Sequence, residues 1–545
     1  MRRAVSLAVA AVAAVAAAPA AANWPIYGRD LANTRNAGAD GPSLAQIPTL
    51  KQAWKFDSPT GDFTGTPVVA AGVVVAGDYS GTVYALDAVT GKVRWKHRLS
   101  GPVDGSAAVD VRKGAVYVPV ATVGAPRLVS LSLRGGARRW STVLTHQAGS
   151  SVYGSPTFWR GTVYIGTSGP NGDGSTARGT VVALDEGSGA VRWRTFTVPP
   201  GHDGGPVWST PAIDTRSGRL YVGAGNAYHP PAAATTDAIL SLDARTGALL
   251  GHYQAIPGDV FGPDGASGPD ADFGASPNLF RAPDGRRLVG EGAKDGNYYA
   301  LDRATMKSVW TRALGPGSAI GGFVGSTAFD GQRVYGSNAL TSQVGAIARD
   351  GSPSWTSADG GSLDFSPLAM ANGVLYSLNQ SGVLTARHAQ TGTVLTKVPL
   401  GAPSFGGIAT TGGAVYVAIG LGPPPPPAPQ QYGNGSIVAL GDTSRSGPGG
   451  RATLRVLVEP REVRAGERTS FRFRVSSRSG APVAGAGIHF ADQFTRTDAN
   501  GRATVSARFA HAGRRHARVS APGYESRTVT VTVRARQHGD GADSG

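Results

Sequence analysis

A short phrase that recurs along this chain constrains its fold more than any other feature. Clear copies occupy residues 83–95, 181–193 and 298–310, and each consists of an alternating apolar strand, a turn that begins with Asp, and a second strand that ends in Trp. The Asp side chain can cap the turn's backbone amides, and Gly91 and Gly189 can supply the positive φ that the reversal needs. One hairpin cannot bury its own faces. The repetition therefore predicts an array in which neighbouring units bury one another.

Two landmarks agree that there are eight units. The final aromatic position of the phrase falls at Trp54, Trp95, Trp140, Trp193, Gly251, Trp310, Trp355 and Thr396. A small residue, usually followed by Pro, opens the first strand of each unit, at Thr66, Ser106, Ser155, Thr210, Ser276, Ser326, Ser366 and Gly406. Four short strands per unit with Gly-rich turns are typical of β-propeller blades. We predict an all-β, eight-bladed propeller over residues 23–442, in which the strand around Trp54 completes the last blade and closes the ring.

The last hundred residues have a different pattern. Residues 443–450 have the composition of a linker, and strands with alternating apolar residues, such as 452–458 and 528–533, follow it. The stretches 485–490 and 497–503 resemble bacterial immunoglobulin-like and surface-adhesion modules. This resemblance implies a small immunoglobulin-like β-sandwich over residues 451–535, followed by a disordered tail at 536–545.

Composition indicates an exported protein. Residues 1–22 have the basic start, apolar core and small-residue end of a cleaved signal peptide, and the apolar run is too short and Ala-rich for a transmembrane anchor. The chain has no Cys, which excludes disulfides, thiolate zinc sites and covalent haem attachment. We therefore expect a periplasmic, envelope-associated or secreted protein.

The net charge of +16 is concentrated near the C-terminus. Residues 445–545 contain 18 Arg, no Lys and 8 acidic residues, so this segment alone carries +10. No nucleic-acid motif and no basic stripe interleaved with aromatic residues accompanies these arginines. We expect an anionic cell-wall or envelope surface, and not a nucleic acid, as the partner of this module.

In a propeller, residues just ahead of the inner strands converge on the axis. In this chain they are Thr64, Asp104, Tyr153, Trp208, Gly274, Val324, Asp364 and Ser404. The aromatic and acidic side chains in this set predict a ligand cavity in which Tyr153, Trp208 and Asp364 contact the ligand. The alternative is ordinary axial packing.

The fourth and fifth units carry motifs that point to a cofactor. Residues 202–226, 270–278 and 292–302 resemble the quinoprotein alcohol dehydrogenases, eight-bladed propellers that hold pyrroloquinoline quinone (PQQ) and Ca²⁺. Residues 23–35 are also similar to that family, and residues 321–331 resemble its polyvinyl-alcohol dehydrogenase branch. The resemblance spans about residues 23–442.

The resemblance implies roles for four residues. Trp208 would stack on the quinone, Asn226 would give a carbonyl oxygen to Ca²⁺, Asp272 would be the catalytic base and a metal neighbour, and Lys294 would bind the quinone oxygens and steady charge on them. The plain alternatives are a packed blade aromatic for Trp208, a strand-end hydrogen bond for Asn226, a surface turn for Lys294 and a solvated acidic loop, 259–272, around Asp272.

The third-blade loop departs from the family pattern. Relatives supply a Glu to Ca²⁺ after a Ser-Gly pair, whereas this chain reads Ser168-Gly-Pro-Asn171-Gly-Asp173. Asp173, or Asn171, would have to take the place of that Glu.

The resemblance implies an exported enzyme that oxidises an alcohol, polymeric or secondary, by hydride transfer to Ca²⁺-bound PQQ. Without a haem motif, electrons would pass to an external acceptor such as a cytochrome c. The alternative is a propeller without a cofactor that binds protein or polysaccharide as a scaffold at the cell envelope. In either case the Arg-rich C-terminal module could tether the protein to the envelope.

Overall fold

The computed structural model describes residues 23–169, 175–262, 265–421, 435–446, 452–477, 482–521 and 524–536. The predicted signal peptide and most of the predicted tail lie outside these residues. Contacts divide the described chain into two compact units, with the boundary between Thr453 and Leu454. No helix among the described residues is long and apolar enough to cross a membrane.

The first unit is built from four-stranded antiparallel sheets, which follow a 3₁₀-helix at Leu44–Thr49. Its strands up to the fourth blade are β1 (Gln52–Asp57), β2 (Val68–Ala70), β3 (Val73–Gly77), β4 (Thr82–Asp87), β5 (Val93–Arg98), β6 (Ala108–Asp110), β7 (Ala115–Val120), β8 (Arg127–Ser132), β9 (Arg138–Val143), β10 (Thr157–Trp159), β11 (Thr162–Thr167), β12 (Thr180–Asp185), β13 (Val191–Phe196), β14 (Ala212–Asp214), β15 (Arg219–Ala224), β16 (Ala238–Asp243) and β17 (Leu249–Gln254). The strands β2–β5, β6–β9, β10–β13 and β14–β17 form blades 1 to 4.

A small hairpin separates blades 4 and 5. The strands that follow blade 4 are β18 (Phe261–Gly262), β19 (Gly265–Ala266), β20 (Asn278–Arg281), β21 (Arg287–Gly292), β22 (Asn297–Asp302), β23 (Ser308–Ala313), β24 (Ala328–Phe329), β25 (Arg333–Asn338), β26 (Gln343–Ala348), β27 (Pro353–Ala358), β28 (Ala369–Ala371), β29 (Val374–Leu378), β30 (Val383–His388), β31 (Val394–Pro399), β32 (Ile408–Thr411), β33 (Ala414–Ile419) and β34 (Ser436–Gly441). The pair β18–β19 forms the hairpin, and β20–β23, β24–β27 and β28–β31 form blades 5 to 7.

The eighth blade joins the two ends of the propeller. Its order is β1-β34-β33-β32, and β1 pairs antiparallel with β34 so that Trp54 lies opposite Ala439. The predicted eight-bladed all-β fold, closed by the N-terminal strand, is therefore confirmed. Closure pairs the edges that an open array of sheets would expose.

The recurring phrase connects neighbouring blades as well as strands within a blade. In blade 1, Asp87 Oδ1 accepts from the backbone amides of Val89 and Thr90, and Gly91 has φ 71°, as the phrase predicts. The Trp54 ring packs on Gly91, where an added Cβ would lie 2.6 Å from the ring. The Trp54 indole also donates to the Ala88 carbonyl over 3.2 Å. The turn glycine is thus required by both backbone conformation and contact with the preceding blade.

Blade 4 lacks the Trp, and the next blade compensates. Gly251 occupies the aromatic position, and the turn that faces it has Met306 where other copies have Gly. Met306 adopts φ 56° and is buried, and its Cγ lies 3.1 Å from where a Cβ on Gly251 would be. At this interface the large side chain comes from the turn of blade 5, whereas at the interfaces where the phrase has its Trp it comes from the preceding blade. The space between the blades is filled in both cases.

Residues 23–40, here called the N-terminal segment, run across the inner strands. Carbonyls of this segment accept hydrogen bonds from the inner strands of six blades, in the pairs Trp24–Val69, Pro25–Val109, Leu31–Ile213, Ala32–Leu279, Thr34–Phe329 and Arg35–Met370. Tyr27 of the segment donates its hydroxyl to Ser326 Oγ over 2.7 Å. The segment therefore forms a floor across the axis, beyond the residues that open each inner strand.

Arg35 anchors this floor. Its side chain is fully buried, and its guanidinium donates to the carbonyls of Tyr27, Leu368 and Ile408. The same guanidinium lies 4.6 Å from the Tyr27 ring centroid and 5.4 Å from that of Trp24. Burial lowers the pKa of Arg35 to about 10, and no carboxylate among the described residues pairs with its guanidinium.

The second unit is a two-sheet sandwich. Its strands, with the short β35 that precedes the boundary, are β35 (Ala452–Thr453), β36 (Arg455–Glu459), β37 (Glu462–Arg464), β38 (Arg468–Ser476), β39 (Gly487–Phe490), β40 (Gln493–Arg496), β41 (Arg502–Arg508), β42 (Gly513–Ser520), β43 (Tyr524–Glu525) and β44 (Arg527–Arg534). One sheet has the order β36-β38-β41 and the other β37-β44-β42-β39-β40. Phe471 and Phe490 meet between the sheets at 5.0 Å in an edge-to-face contact. The immunoglobulin-like classification of this unit stays a prediction. A 3₁₀-helix occupies Thr443–Ser446, within the predicted linker.

Candidate functional site

Two cavities lie where the inner strands begin. The axial cavity has a volume of about 450 Å³, and its lining includes Tyr27 of the floor together with six of the predicted axial residues, which are Thr64, Asp104, Tyr153, Trp208, Gly274 and Val324. The mouth pocket has a volume of about 480 Å³ and lies beside blades 4 and 5. Trp208 and Tyr153 line both cavities, so these two aromatic side chains stand between them.

The mouth pocket brings together five of the seven residues that the sequence predicts for a site. Tyr153, Trp208, Asn226, Asp272 and Lys294 all line it. Trp208 and Asp272 precede the inner strands β14 and β20, whereas Asn226 and Lys294 follow the second strands β15 and β21. Because consecutive strands of a blade are antiparallel, the start of the first strand and the end of the second meet at the same end of the blade.

A buried ion-pair cluster forms one wall of this pocket. Lys294 Nζ lies 2.6 Å from Asp272 Oδ2 and 2.9 Å from Asp270 Oδ2. The side chain of Lys294 is 14% exposed, and those of the two carboxylates are 7% and 4% exposed. The backbone amide of Lys294 also donates to the Asp272 carbonyl over 3.0 Å. Main chain and side chain together thus fix Lys294 on Asp272.

Proton binding in this cluster is shifted. Burial, followed by the negative charge of Asp272, raises the pKa of Asp270 to about 7. The pKa of Lys294 is raised above its usual value because the attraction of Asp272 and Asp270 outweighs the desolvation of its ammonium group. The lysine is therefore held as a cation, and burial beside Asp272 favours the neutral form of Asp270.

Asn226 is oriented by its neighbours. Its Nδ2 donates to the carbonyls of Ala227 and Phe261, each over 2.7 Å, and its backbone amide donates to Asp272 Oδ1 over 2.6 Å. With the amide hydrogens committed to these carbonyls, the Oδ1 atom is the part of the side chain left to bind a ligand.

Glycine determines the position of the Trp208 ring. An added Cβ at Gly274 would lie 2.0 to 2.4 Å from three atoms of the indole's six-membered ring, so that ring packs directly on the Gly274 backbone. The Trp208 ring has a second neighbour, Lys294, whose Nζ atom lies 5.7 Å from the ring centroid. A flat aromatic group could bind against this indole with an ammonium group beside it.

Two predicted site residues remain, Asp173 and Asp364. Asp173 lies outside the described residues, as does Asn171. Asp364 is fully buried and lines neither cavity, whereas the next residue, Phe365, lines the axial cavity. Burial and the nearby Asp359 raise the pKa of Asp364 well above its usual value. The predicted contact between Asp364 and a cofactor therefore has no support from its position.

Sequence reasoning missed the other carboxylates around Asp272. Asp237, Asp259 and Asp270 are all buried beside it, and burial first, then neighbouring carboxylates, raises the pKa of Asp237 well above its usual value. The loop 259–272 is thus not simply solvated, because its Asp259 and Asp270 point inward. The spacing Asp270-Ala-Asp272 was the available signal, since two residues on an extended chain share a side.

The donor set fits a hard cation and a flat polar cofactor, but it is incomplete. Asn226 Oδ1 and the Asp272 carboxylate are oxygen donors of the kind Ca²⁺ binds, and the buried oxygens Asp259 Oδ1 and Asp270 Oδ1 have no hydrogen-bond partner among the residues that the structure describes. Within the described ranges, no three His, Cys, Asp or Glu side chains converge as a metal-binding group. A complete Ca²⁺ shell would therefore need donors beyond these, such as the predicted Asp173.

Comparison with known proteins agrees with the fold. A PQQ-repeat family model, described as outer membrane protein assembly factor BamB, matches residues 46–312. Among solved structures, quinohemoprotein alcohol dehydrogenase from Comamonas testosteroni superposes with a TM-score of 0.65 at 20% identity, covering 77% of this chain and 80% of that one. At that identity the match establishes the architecture.

Sequence relatives point the same way. Polyvinylalcohol dehydrogenase of Sphingopyxis sp. (strain 113P3) is 30% identical over 373 residues, which cover 61% of this chain and 56% of that protein. Polyvinylalcohol dehydrogenase of Pseudomonas sp. is 31% identical over 356 residues, which cover 57% of this chain and 54% of that protein. The chain thus spans little more than half the length of these two relatives.

Proposed function

Because this chain carries a PQQ-type β-propeller related to the quinoprotein alcohol dehydrogenases, we propose that it oxidises an alcohol with PQQ and Ca²⁺ held in the mouth pocket. The observation that carries the proposal is the convergence of Trp208, Asn226, Asp272 and Lys294 on that one pocket. In the sequence these residues lie in separate loops of blades 4 and 5, and a scaffold propeller has no need to bring them together.

Each residue has a role that fits its chemistry. The Trp208 indole would form the face against which the flat quinone lies, and the Lys294 ammonium would bind its oxygens. Asn226 Oδ1 and Asp272 would hold Ca²⁺. When bound, PQQ and Ca²⁺ would supply a hydride acceptor whose carbonyl is polarised by the metal.

The chain's own contribution to the reaction centres on Asp272. Its carboxylate is the base that would take the hydroxyl proton of the alcohol as the hydride leaves. Lys294, 2.6 Å away, keeps that carboxylate in place. Asp270, the second carboxyl on Lys294, can hold a proton near neutral pH, so the cluster can bind a proton without losing the lysine's charge.

Part of the pocket lining is apolar. Tyr228, Phe261 and Ile320 also line it, and Ile320 is 59% exposed. An alcohol with an aliphatic chain, polymeric or secondary, fits this combination of an apolar wall and one carboxylate. Electrons would leave to an external acceptor such as a cytochrome c, because a chain without Cys has no covalent haem of its own.

Reconstitution tests the proposal. Purified protein mixed with PQQ and Ca²⁺ should gain thermal stability in proportion to the logarithm of PQQ concentration, and should reduce an artificial dye when a secondary alcohol is added. Asp272→Asn should lower turnover by about 10³-fold, the usual size of a general-base contribution, without loss of the folded state. The matched control Asp284→Asn removes an exposed carboxylate from the same blade and should leave turnover unchanged.

Two results would contradict the proposal. The first is the absence of any stabilisation at saturating PQQ and Ca²⁺. The second is a wild-type rate of dye reduction by Asp272→Asn. Either would favour the scaffold function, with which the match to the BamB family model is also compatible.

A further inference from the structure

The three-stranded sheet of the C-terminal unit has one strongly basic surface. In β36, β38 and β41, buried apolar residues alternate with exposed residues, so one side of the sheet faces the core and the other faces solvent. The solvent side, here called the arginine face, carries six exposed arginines, Arg455, Arg468, Arg472, Arg474, Arg502 and Arg508. Glu459 is the acidic residue among the outward positions of these strands. The face therefore carries a net charge of about +5.

The register places like charges directly opposite each other. Arg474 pairs with Arg502 and Arg468 pairs with Arg508 across β38 and β41. Side chains in such positions are about 5 Å apart at Cβ, and like charges there destabilise a sheet. None of the six guanidinium groups forms an ion pair within the described part of the chain. An anion that bridges the two strands would relieve this repulsion.

The spacing of the arginines suits a linear polymer. Arg472 and Arg474 lie on the same side of β38, roughly 7 Å apart, and the neighbouring strand lies about 5 Å away. Guanidinium groups can bind carboxylates through two parallel hydrogen bonds. A chain of regularly spaced carboxylates could thus contact several arginines at once and gain affinity from each.

Other anionic partners fit less well. The face has no outward aromatic side chain on which a nucleic-acid base could stack. Leu457 is its exposed large apolar residue, which is little for insertion among lipid headgroups. We propose that the arginine face binds a linear polysaccharide that carries carboxylates. This inference concerns the C-terminal unit and is independent of the function proposed for the mouth pocket.

Paired neutralisations of the full chain test the proposal. Arg474→Gln with Arg502→Gln removes one opposed pair from the arginine face. Arg514→Gln with Arg518→Gln removes two exposed arginines from the five-stranded sheet and serves as the control, since both variants lower the net charge of +16 by two. The probe is polygalacturonate at low salt, with neutral dextran, anionic phospholipid vesicles and duplex DNA as comparisons.

The wild-type chain should bind polygalacturonate, with an affinity that falls as salt rises. The Arg474/Arg502 variant should weaken binding at least 10-fold and the control at most 2-fold. The double variant Arg468→Gln, Arg508→Gln should also weaken polygalacturonate binding. Because it changes a different opposed pair, a loss of binding in both double variants cannot be explained by the misfolding of one of them. The proposal is wrong if both surfaces lose affinity equally, if vesicles or DNA bind more tightly than polygalacturonate, or if the chain binds none of these polymers.

Discussion

At the floor of the propeller, the buried guanidinium of Arg35 donates to three carbonyls, whereas at the mouth pocket no described residue donates a hydrogen bond to the buried oxygens Asp259 Oδ1 and Asp270 Oδ1. Each nitrogen of the Arg35 guanidinium thus has an acceptor, whereas in the mouth pocket the ion pairs with Lys294 leave two carboxylate oxygens without a donor among the described residues. A satisfied buried polar group stabilises one conformation, and an unsatisfied one costs free energy that a ligand can recover. The difference indicates that the floor holds the ring together while the mouth is kept for binding.

The largest effect that separates the two ends should come from Arg35→Met. This change leaves two buried carbonyls and the part-buried carbonyl of Tyr27 without that donor and removes contacts with the Trp24 and Tyr27 rings. It should therefore lower the free energy of unfolding by about 3–5 kcal/mol. Denaturant unfolding followed by Trp fluorescence would measure it. The control Arg216→Met, at an exposed turn, should change stability by less than about 0.5 kcal/mol. A loss from Arg35→Met no larger than the control's would mean that the backbone pairs hold the floor alone.

The floor also shows where sequence reasoning succeeds and where it stops. The ring and its closure were predictable because Asp87, Gly91 and Trp54 act through side-chain types that recur at the same positions in several other units. The path of residues 23–40 was not, because its hydrogen bonds use main-chain carbonyls that any sequence possesses. Arg35 adds to the difficulty, since an arginine with no acidic partner is normally expected at the surface.

Most, but not all, of the residues predicted for the site line the mouth pocket. Trp208, Asn226, Asp272 and Lys294 were singled out by family resemblance, and the structure brings them to one pocket. Asp364 could not be separated from them by sequence, because its offset from the blade landmark is the same as that of Trp208. The burial of Asp364 outside the linings of both cavities depends on packing that the repeat does not encode.

A smaller effect is expected at Asp104, which lies on the axial cavity between the two ends. Burial raises the pKa of Asp104 to about 6, although a hydrogen bond from Thr64 Oγ1 over 2.7 Å opposes the shift. A carboxyl whose folded pKa is raised holds its proton more tightly in the folded state. Its contribution to stability is therefore lost as pH rises from about 4 to about 6.

Asp104→Asn should remove that pH dependence. Relative to wild type, the variant should be neutral near pH 4 and more stable by about 2–3 kcal/mol at pH 7, which unfolding curves at the two pH values would measure. Asp284→Asn should show no such gain, because the pKa of that exposed carboxyl is lowered by its hydrogen bonds with Arg286. If Asp104→Asn gives the same difference at both pH values, the pKa of Asp104 is not raised by folding.

The smallest effect on stability, and the most specific one for the mouth, should come from Gly274→Ala. The added methyl group must displace the Trp208 ring, which would cost about 1–2 kcal/mol of stability because the ring can move into the adjoining cavities. The same displacement should weaken PQQ binding at least 10-fold, since the indole would no longer present the face on which the quinone lies. Gly135→Ala adds its methyl group where no atom lies within 4 Å and should change neither quantity. Thermal unfolding with and without PQQ separates the two effects, and equal PQQ affinity for Gly274→Ala and wild type would show that the position of Trp208 does not control the site.

Arg35→Met provides the converse comparison. If the floor stabilises the ring and the mouth pocket binds the ligand, the variant molecules that remain folded should bind PQQ with the affinity of wild type.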